Sequence, residues 1–142
     1  MNRHPCLQPL SREHHVGLVI AAKAKNCADT PESVNEYWQK LKLYLTDQIP
    51  RHFATEQQKI ADVVLARLGE GEARTLMLEM LRQHEQIEQM LELDAPTLAD
   101  VRALAVLLHD HIRLEERQVF NLAQELMTEE ELQAAYRFAV GA

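Results

Sequence analysis

The chain has 142 residues, enough for one compact core and one domain spanning 1–142. It carries 22 acidic and 15 basic side chains, a net charge of −7 with histidine neutral. That balance argues against a nucleic-acid partner, which wants a basic footprint, and against an anionic membrane surface. Four glycines and no Asn-Gly or Asp-Gly turn argue against an all-β fold. In chain order, the first ten residues lack the apolar stretch of a secretory signal, so the chain reads as cytoplasmic. His4 lies in this terminus, expected to be mobile, and Cys6 and Cys27 form no CxxC pair. Ser11 is positioned to cap a first helix whose inward positions run Leu10, His14, Leu18 and Ala21. Thr30-Pro31 starts a second helix reaching to about Leu68, with a bend expected at Pro50. Gly69-Glu70-Gly71 ends it. A third helix carries Met77, Met80, Leu81, His84, Ile87, Glu88 and Leu91 up to the break at Asp94-Ala95-Pro96. The fourth carries Leu104, Leu107, Leu108, His111, Glu115, Val119, Leu122 and Leu126. Its aliphatic run at 104–108 is far short of the about 20 residues that span a bilayer. Thr128 and Glu131 have capping-box spacing and open a short fifth helix with Tyr136 and Phe138.

These elements predict an all-α chain. The expected form is an antiparallel up-down-up-down four-helix bundle over about 10–127, with a short C-terminal helix over about 128–140. That last helix is expected to pack on the bundle end or to serve a homodimer contact.

The seven histidines carry the chemical signal. His52, His84 and His111 are each followed four residues later by a glutamate: Glu56, Glu88 and Glu115. Residues i and i+4 share a helix face, so each pair can hold one metal ion. Each pair also interrupts the apolar stripe of its own helix. Glutamates sent into one core need cations or protons to offset the cost of burial. On the first helix His14 and His15 are alternatives, and His14 lies on the Leu10/Leu18/Ala21 face. Four histidines and three glutamates exceed one tetrahedral zinc site and suit two metals bridged by carboxylates. Glu116 rivals Glu115, but helix geometry favours Glu115 and leaves Glu116 to pair with Arg113 at the surface. His109 is expected at the surface, Met77 and Met80 as core filler, and Tyr44 as a core tyrosine. There is no HExxH, and no histidine has a glutamate three residues before it, as ferritin-like bundles require.

Several segments together resemble the hemerythrin-like, or HHE cation-binding, domain over roughly 10–127: Leu10-Ser11-Arg12-Glu13-His14-His15, His52-Phe53-Ala54-Thr55-Glu56, the lone His84, and His111-Ile112-Arg113-Leu114-Glu115-Glu116 with Val119-Phe120. The resemblance implies a four-helix bundle around a non-haem di-iron centre. It implies His14, His52, His84 and His111 as terminal ligands, and Glu56 and Glu115 as bridges. Oxygen-carrying members place a histidine where this chain has Glu88, and an aspartate at the register of Glu116. An anionic Glu88 ligand would favour ferric iron and weaken reversible oxygen carriage. It leaves manganese or zinc open. Iron-centre repair members carry a separate cysteine-bearing N-terminal domain, which the roughly ten residues before the first helix do not supply, so that role does not transfer directly. The expected function is binding of, or reaction with, a small ligand such as dioxygen, peroxide or nitric oxide. The alternative is iron storage, delivery or sensing without turnover.

Overall fold

Polar caps and prolines set where the helices begin, and they do so at most of the expected places. The computed structural model describes residues 2–141, and among these all regular structure is helical, with no strand. Helix α1 spans Gln8–Lys25 and follows a 3-10 turn at Pro5–Leu7. It starts ahead of Ser11, which lies inside the helix rather than capping it. Pro9 suits the first turn because its missing N–H would have no helical partner there. His4 is fixed rather than loose: its Nδ1 accepts the Cys6 N–H at 3.0 Å, and its Nε2 lies 2.9 Å from Glu129 Oε2.

Helix α2 runs over 31–65. Thr30 caps it by accepting the Ser33 N–H, and Pro31 occupies its first turn. It is α-helical over Pro31–Gln48, then widens to π turns over Ile49–Phe53 and Thr55–Ala61, and returns to α over Asp62–Leu65. Pro50 falls where the hydrogen-bonding pattern changes. Helix α3 spans Glu72–Met90. Helix α4 covers 98–126. A Thr97/Asp100 capping box opens it, and a π stretch at Glu115–Val119 interrupts it. Helix α5 spans Glu129–Val140. The Thr128/Glu131 capping box starts it, and Gly141 ends it with a left-handed φ of 76°.

α1 packs along α4 and α2, and α3 packs along α4. The close approach of α1 depends on Gly17. A Cβ there would lie 2.5 Å from Tyr44 Oη and 2.8 Å from Ile112 Cδ1. Tyr44 uses this notch to donate its hydroxyl to the Glu13 carbonyl at 2.8 Å. α5 covers the π turns of α2 and the N-terminal 3-10 turn, and it buries Leu132, Ala135 and Ala139. Tyr136 is exposed, and Phe138 lies under the Lys59 ammonium.

The apolar interior divides in two. One cluster holds Leu10 of α1, Ile60 and Val64 of α2, Met77 and Met80 of α3, and Phe120 of α4. The other holds Ala21 of α1, Leu41 and Leu45 of α2, Ile87 of α3, and Leu104 and Leu108 of α4. In every one of these helices the polar buried residues fall, in sequence, between the two sets. No helix among the described residues is long and apolar enough to cross a membrane.

Candidate metal centre

Six polar side chains form the layer between the two apolar clusters. They are His14 of α1, His52 and Glu56 of α2, His84 of α3, and His111 and Glu115 of α4, each at most 3% exposed. The π turns are where α2 and α4 supply their donors. His52 and Glu56 fall in the two widened stretches of α2, and Glu115 opens the one in α4. Such local widening is frequent at functional sites.

The donors converge on two groups. His14, His52, Glu56 and Glu115 form one, and Glu56, His84, His111 and Glu115 the other, with ligand atoms in each group all within 4.8 Å of one another. Glu56 faces both. Its Oε2 lies 3.0 Å from His52 Nε2 and 3.3 Å from His14 Nε2, while its Oε1 lies 3.1 Å from His84 Nε2. Glu115 Oε1 lies 2.6 Å from His111 Nε2 and 3.4 Å from His14 Nε2.

Closeness here is not satisfaction. Glu56 Oε1, both Glu115 oxygens, His84 Nε2 and His111 Nε2 are buried and make no hydrogen bond. Unpartnered buried carboxylate oxygens are costly, and native interiors rarely keep them without a cation or water. Within the layer only His52 Nε2 makes hydrogen-bonded contacts, to His14 Nε2 and Glu56 Oε2 at 3.0 Å each, and the remaining lone-pair donors converge unpaired, as suits a metal ion.

The same crowding pulls the ionisations apart. Burial and the adjacent Glu115 charge push the Glu56 carboxyl well above the usual carboxylate range. Burial would push Glu115 up as well, but the adjacent His111 charge holds it well below. Burial works against a charged His14, yet the surrounding carboxylates of Glu115, Glu116 and Glu56 raise it to about 10. Burial and the neighbouring His111 lower His84 to about 3. Without metal the layer therefore holds protons among its own donors.

The imidazoles are fixed from behind. His14 Nδ1 lies 2.8 Å from Glu116 Oε2, and Glu116 also accepts the Ser11 hydroxyl. His111 Nδ1 lies 2.9 Å from Gln83 Oε1, and His84 Nδ1 lies 3.0 Å from Gln57 Nε2. Phe53 stacks on the His84 ring at 3.9 Å between centroids, and Phe120 stacks on His14 at 5.4 Å.

Of the expected site residues, Glu88 is not brought to the layer. It is exposed, because the inward stripe of α3 advances from Met80 through Gln83 and His84 to Ile87. Four residues on, Glu88 has rotated past the core. The expected anionic ligand from α3, and its bias toward ferric iron, therefore fall away. Glu116 is also corrected: it holds His14 rather than pairing with Arg113. The π stretch beginning at Glu115 advances less than 100° per residue, so Glu115 and Glu116 both turn toward α1 and the interior. His15 and His109 are exposed. Gln57 and Gln83 were not singled out from sequence, although they directly flank Glu56 and His84, and Glu13, Phe53 and Phe120 figured only within the resembling segments, with no role given to them.

Residues 7–123 match the family model of the hemerythrin HHE cation-binding domain. No curated protein and no solved structure matches the chain. The matched span contains all six donors of the buried layer and leaves out α5. A cation-binding domain is what this layer of buried imidazoles and orphaned carboxylate oxygens calls for, and the chain belongs to the hemerythrin HHE cation-binding family.

Proposed function

We propose that the chain is a hemerythrin-like di-iron protein that binds or reacts with a small ligand such as dioxygen, peroxide or nitric oxide. One observation carries this: the two four-donor groups share Glu56 and Glu115. In this reading His14 and His52 would hold one ion and His84 and His111 the other, with Glu56 and Glu115 available to both. When bound, iron supplies one-electron chemistry and coordination positions beyond the four protein donors of each group. The protein's own part is to fix and to exclude. Glu116 and Gln83 set the tautomers of His14 and His111 so that Nε2 faces inward. Phe53, Phe120, Ile60 and Leu108 surround the layer with apolar walls that keep bulk water out.

The same reading includes an up-down-up-down bundle. α1 and α3 pass, in sequence, from the cluster of Leu10 and Met77 to the cluster of Ala21 and Ile87, while α2 and α4 pass the other way. This alternation supports consecutive helices running antiparallel. The donor set also suits manganese or zinc, so the metal itself is part of the test.

The experiment is an anaerobic titration of metal-free protein with ferrous iron, followed by dioxygen, peroxide or nitric oxide. The expected result is saturable uptake, then new visible absorption on adding at least one of the three. Uptake with an unchanged spectrum for all three would contradict small-ligand chemistry and favour storage, delivery or sensing of iron.

A further inference from the structure

The two donor groups are alike in their inner ligands, since each has two imidazoles and both share the same two carboxylates. They differ in what stands behind the imidazoles. Behind the α1/α2 pair are carboxylates: Glu116 Oε2 lies at hydrogen-bond distance, 2.8 Å from His14 Nδ1, while Glu13 Oε2 stands 3.6 Å from His52 Nδ1, which makes no hydrogen bond, so Glu13 acts there by its charge alone. Behind the α3/α4 pair are neutral amides: Gln83 Oε1 at 2.9 Å from His111 Nδ1, and Gln57 Nε2 at 3.0 Å from His84 Nδ1.

The difference has a chemical consequence. An imidazole that ligates through Nε2 carries its proton on Nδ1. A carboxylate accepting that proton draws it away and makes Nε2 a stronger, more electron-rich donor. An amide oxygen accepts the same proton without adding charge. For His84 this requires the Gln57 amide to present its oxygen, a half-turn of the group. Glu116 is surrounded by groups that suit a carboxylate: it accepts the Ser11 hydroxyl at 2.8 Å. Arg3 Nη2 sits 3.6 Å from Oε1, while Oε2 remains directed at His14.

We infer that Glu116, acting through its hydrogen bond to His14 and assisted by the nearby charge of Glu13, makes the α1/α2 position of the di-iron centre the easier one to oxidise. A half-oxidised centre then holds its ferric ion beside His14 and His52 and its ferrous ion beside His84 and His111. The inference rests on the di-iron reading above. Glu116 and Glu13 are positioning residues and touch no metal. The step is one electron leaving one ferrous ion for an added outer-sphere oxidant, with ferricyanide becoming ferrocyanide. No covalent bond forms or breaks.

The test is a redox titration of ferrous-loaded protein, with electron paramagnetic resonance after one oxidising equivalent. Two separated one-electron steps arise in any bridged pair, so the variants decide. Glu116→Gln removes the charge and keeps the shape. It is expected to raise the first step by at least a tenfold change in equilibrium constant, about 59 mV, to leave the second step in place, and to lower the mixed-valent yield. Gln83→Glu, the mirror change, is expected to lower the second step. Glu13→Gln gives the same direction as Glu116→Gln, and serves if Glu116→Gln fails to fold. Equal shifts of both steps, no shift with either carboxylate variant, or a first step moved by Gln83→Glu would overturn the inference. Wild-type protein that does not take up two irons would overturn the di-iron reading and the inference with it. Wild-type protein that takes them up, with the wrong variant pattern, would overturn the inference alone.

Discussion

Glu56 and Glu115 define the site at the level of single residues. Both are fully buried, and both offer oxygens with no hydrogen bond. The account predicts that Glu56→Ala or Glu115→Ala lowers iron affinity more than the roughly 10–100-fold typical of losing an outer partner. Glu88→Ala is predicted to leave iron content and affinity unchanged, since Glu88 is exposed and outside both donor groups. Elemental analysis of the three variants after dialysis checks both statements, and iron lost from Glu88→Ala would contradict them. The His52/Glu56 and His111/Glu115 pairs were legible in the sequence because i,i+4 spacing on an apolar stripe survives modest changes in helical pitch. Glu88 was misread because only the stripe's later member, Ile87, shows where α3 has rotated. Glu116 was misread because a π turn has no mark in the local sequence that a fixed 100° per residue would reveal. The amides of Gln57 and Gln83 were invisible for another reason: a glutamine beside a ligand reads as surface until the neighbouring helix is known.

At the scale of elements, two contacts fix how the helices meet. Gly17 admits Tyr44 and Ile112 to the backbone of α1. Gly17→Ala is predicted to destabilise the fold by about 1–3 kcal/mol despite alanine's better helix propensity, because the added methyl overpacks this contact. Adding Tyr44→Phe should recover part of that loss. Urea unfolding of the single and double variants measures it, and a Gly17→Ala protein more stable than wild type would contradict the packing described. The second contact joins the end of α2 to the start of α5. Arg67 holds Glu131 through both guanidinium nitrogens and also donates to the Leu126 carbonyl. This pairing lowers the Glu131 carboxyl to about 2 from its ordinary 4.5. A depressed folded-state value means that stability is present above the ordinary carboxylate range and is lost as pH falls through about 2. Hydrogen exchange of α5 should therefore speed up, relative to the other helices, between pH 4.5 and 2. Glu131→Gln should lose that pH dependence, and identical profiles for the two proteins would contradict the assignment. The α5 start was legible from Thr128-Glu129-Glu130-Glu131, because a capping box is local chemistry. Which face it buries was not, because Leu132, Ala135 and Ala139 became the inward set only against α1 and α2.

Across the whole molecule, a polar layer separates two apolar clusters, so the halves of the core are joined through the donors of His14, His52, Glu56, His84, His111 and Glu115. Without metal, that layer contains buried charge and orphaned atoms and is the weak plane of the fold. Binding to the folded state alone stabilises by mass action, about 2.7 kcal/mol when free metal is 100 times its dissociation constant. Chelation is therefore predicted to lower the Tm, and metal to restore it in a concentration-dependent way. Calorimetry with and without chelator measures this, and equal Tm values would show that the layer is a structural feature unrelated to cations. The all-helical character was legible in the sequence from helix starts and stops at Thr30-Pro31, Gly69-Glu70-Gly71 and Asp94-Ala95-Pro96. The division of the core into two clusters emerges only when four stripes are assembled.

On the proposed di-iron reading, two metal ions share Glu56 and Glu115. The most direct measurement is metal content per chain, by elemental analysis of untagged protein reconstituted anaerobically with ferrous iron and then dialysed. The account predicts two irons per chain in the wild type, with Glu56→Ala and Glu115→Ala each losing both rather than one, because each carboxylate belongs to both donor groups. One iron per chain, none, or two irons that persist without Glu56 or Glu115 would contradict it.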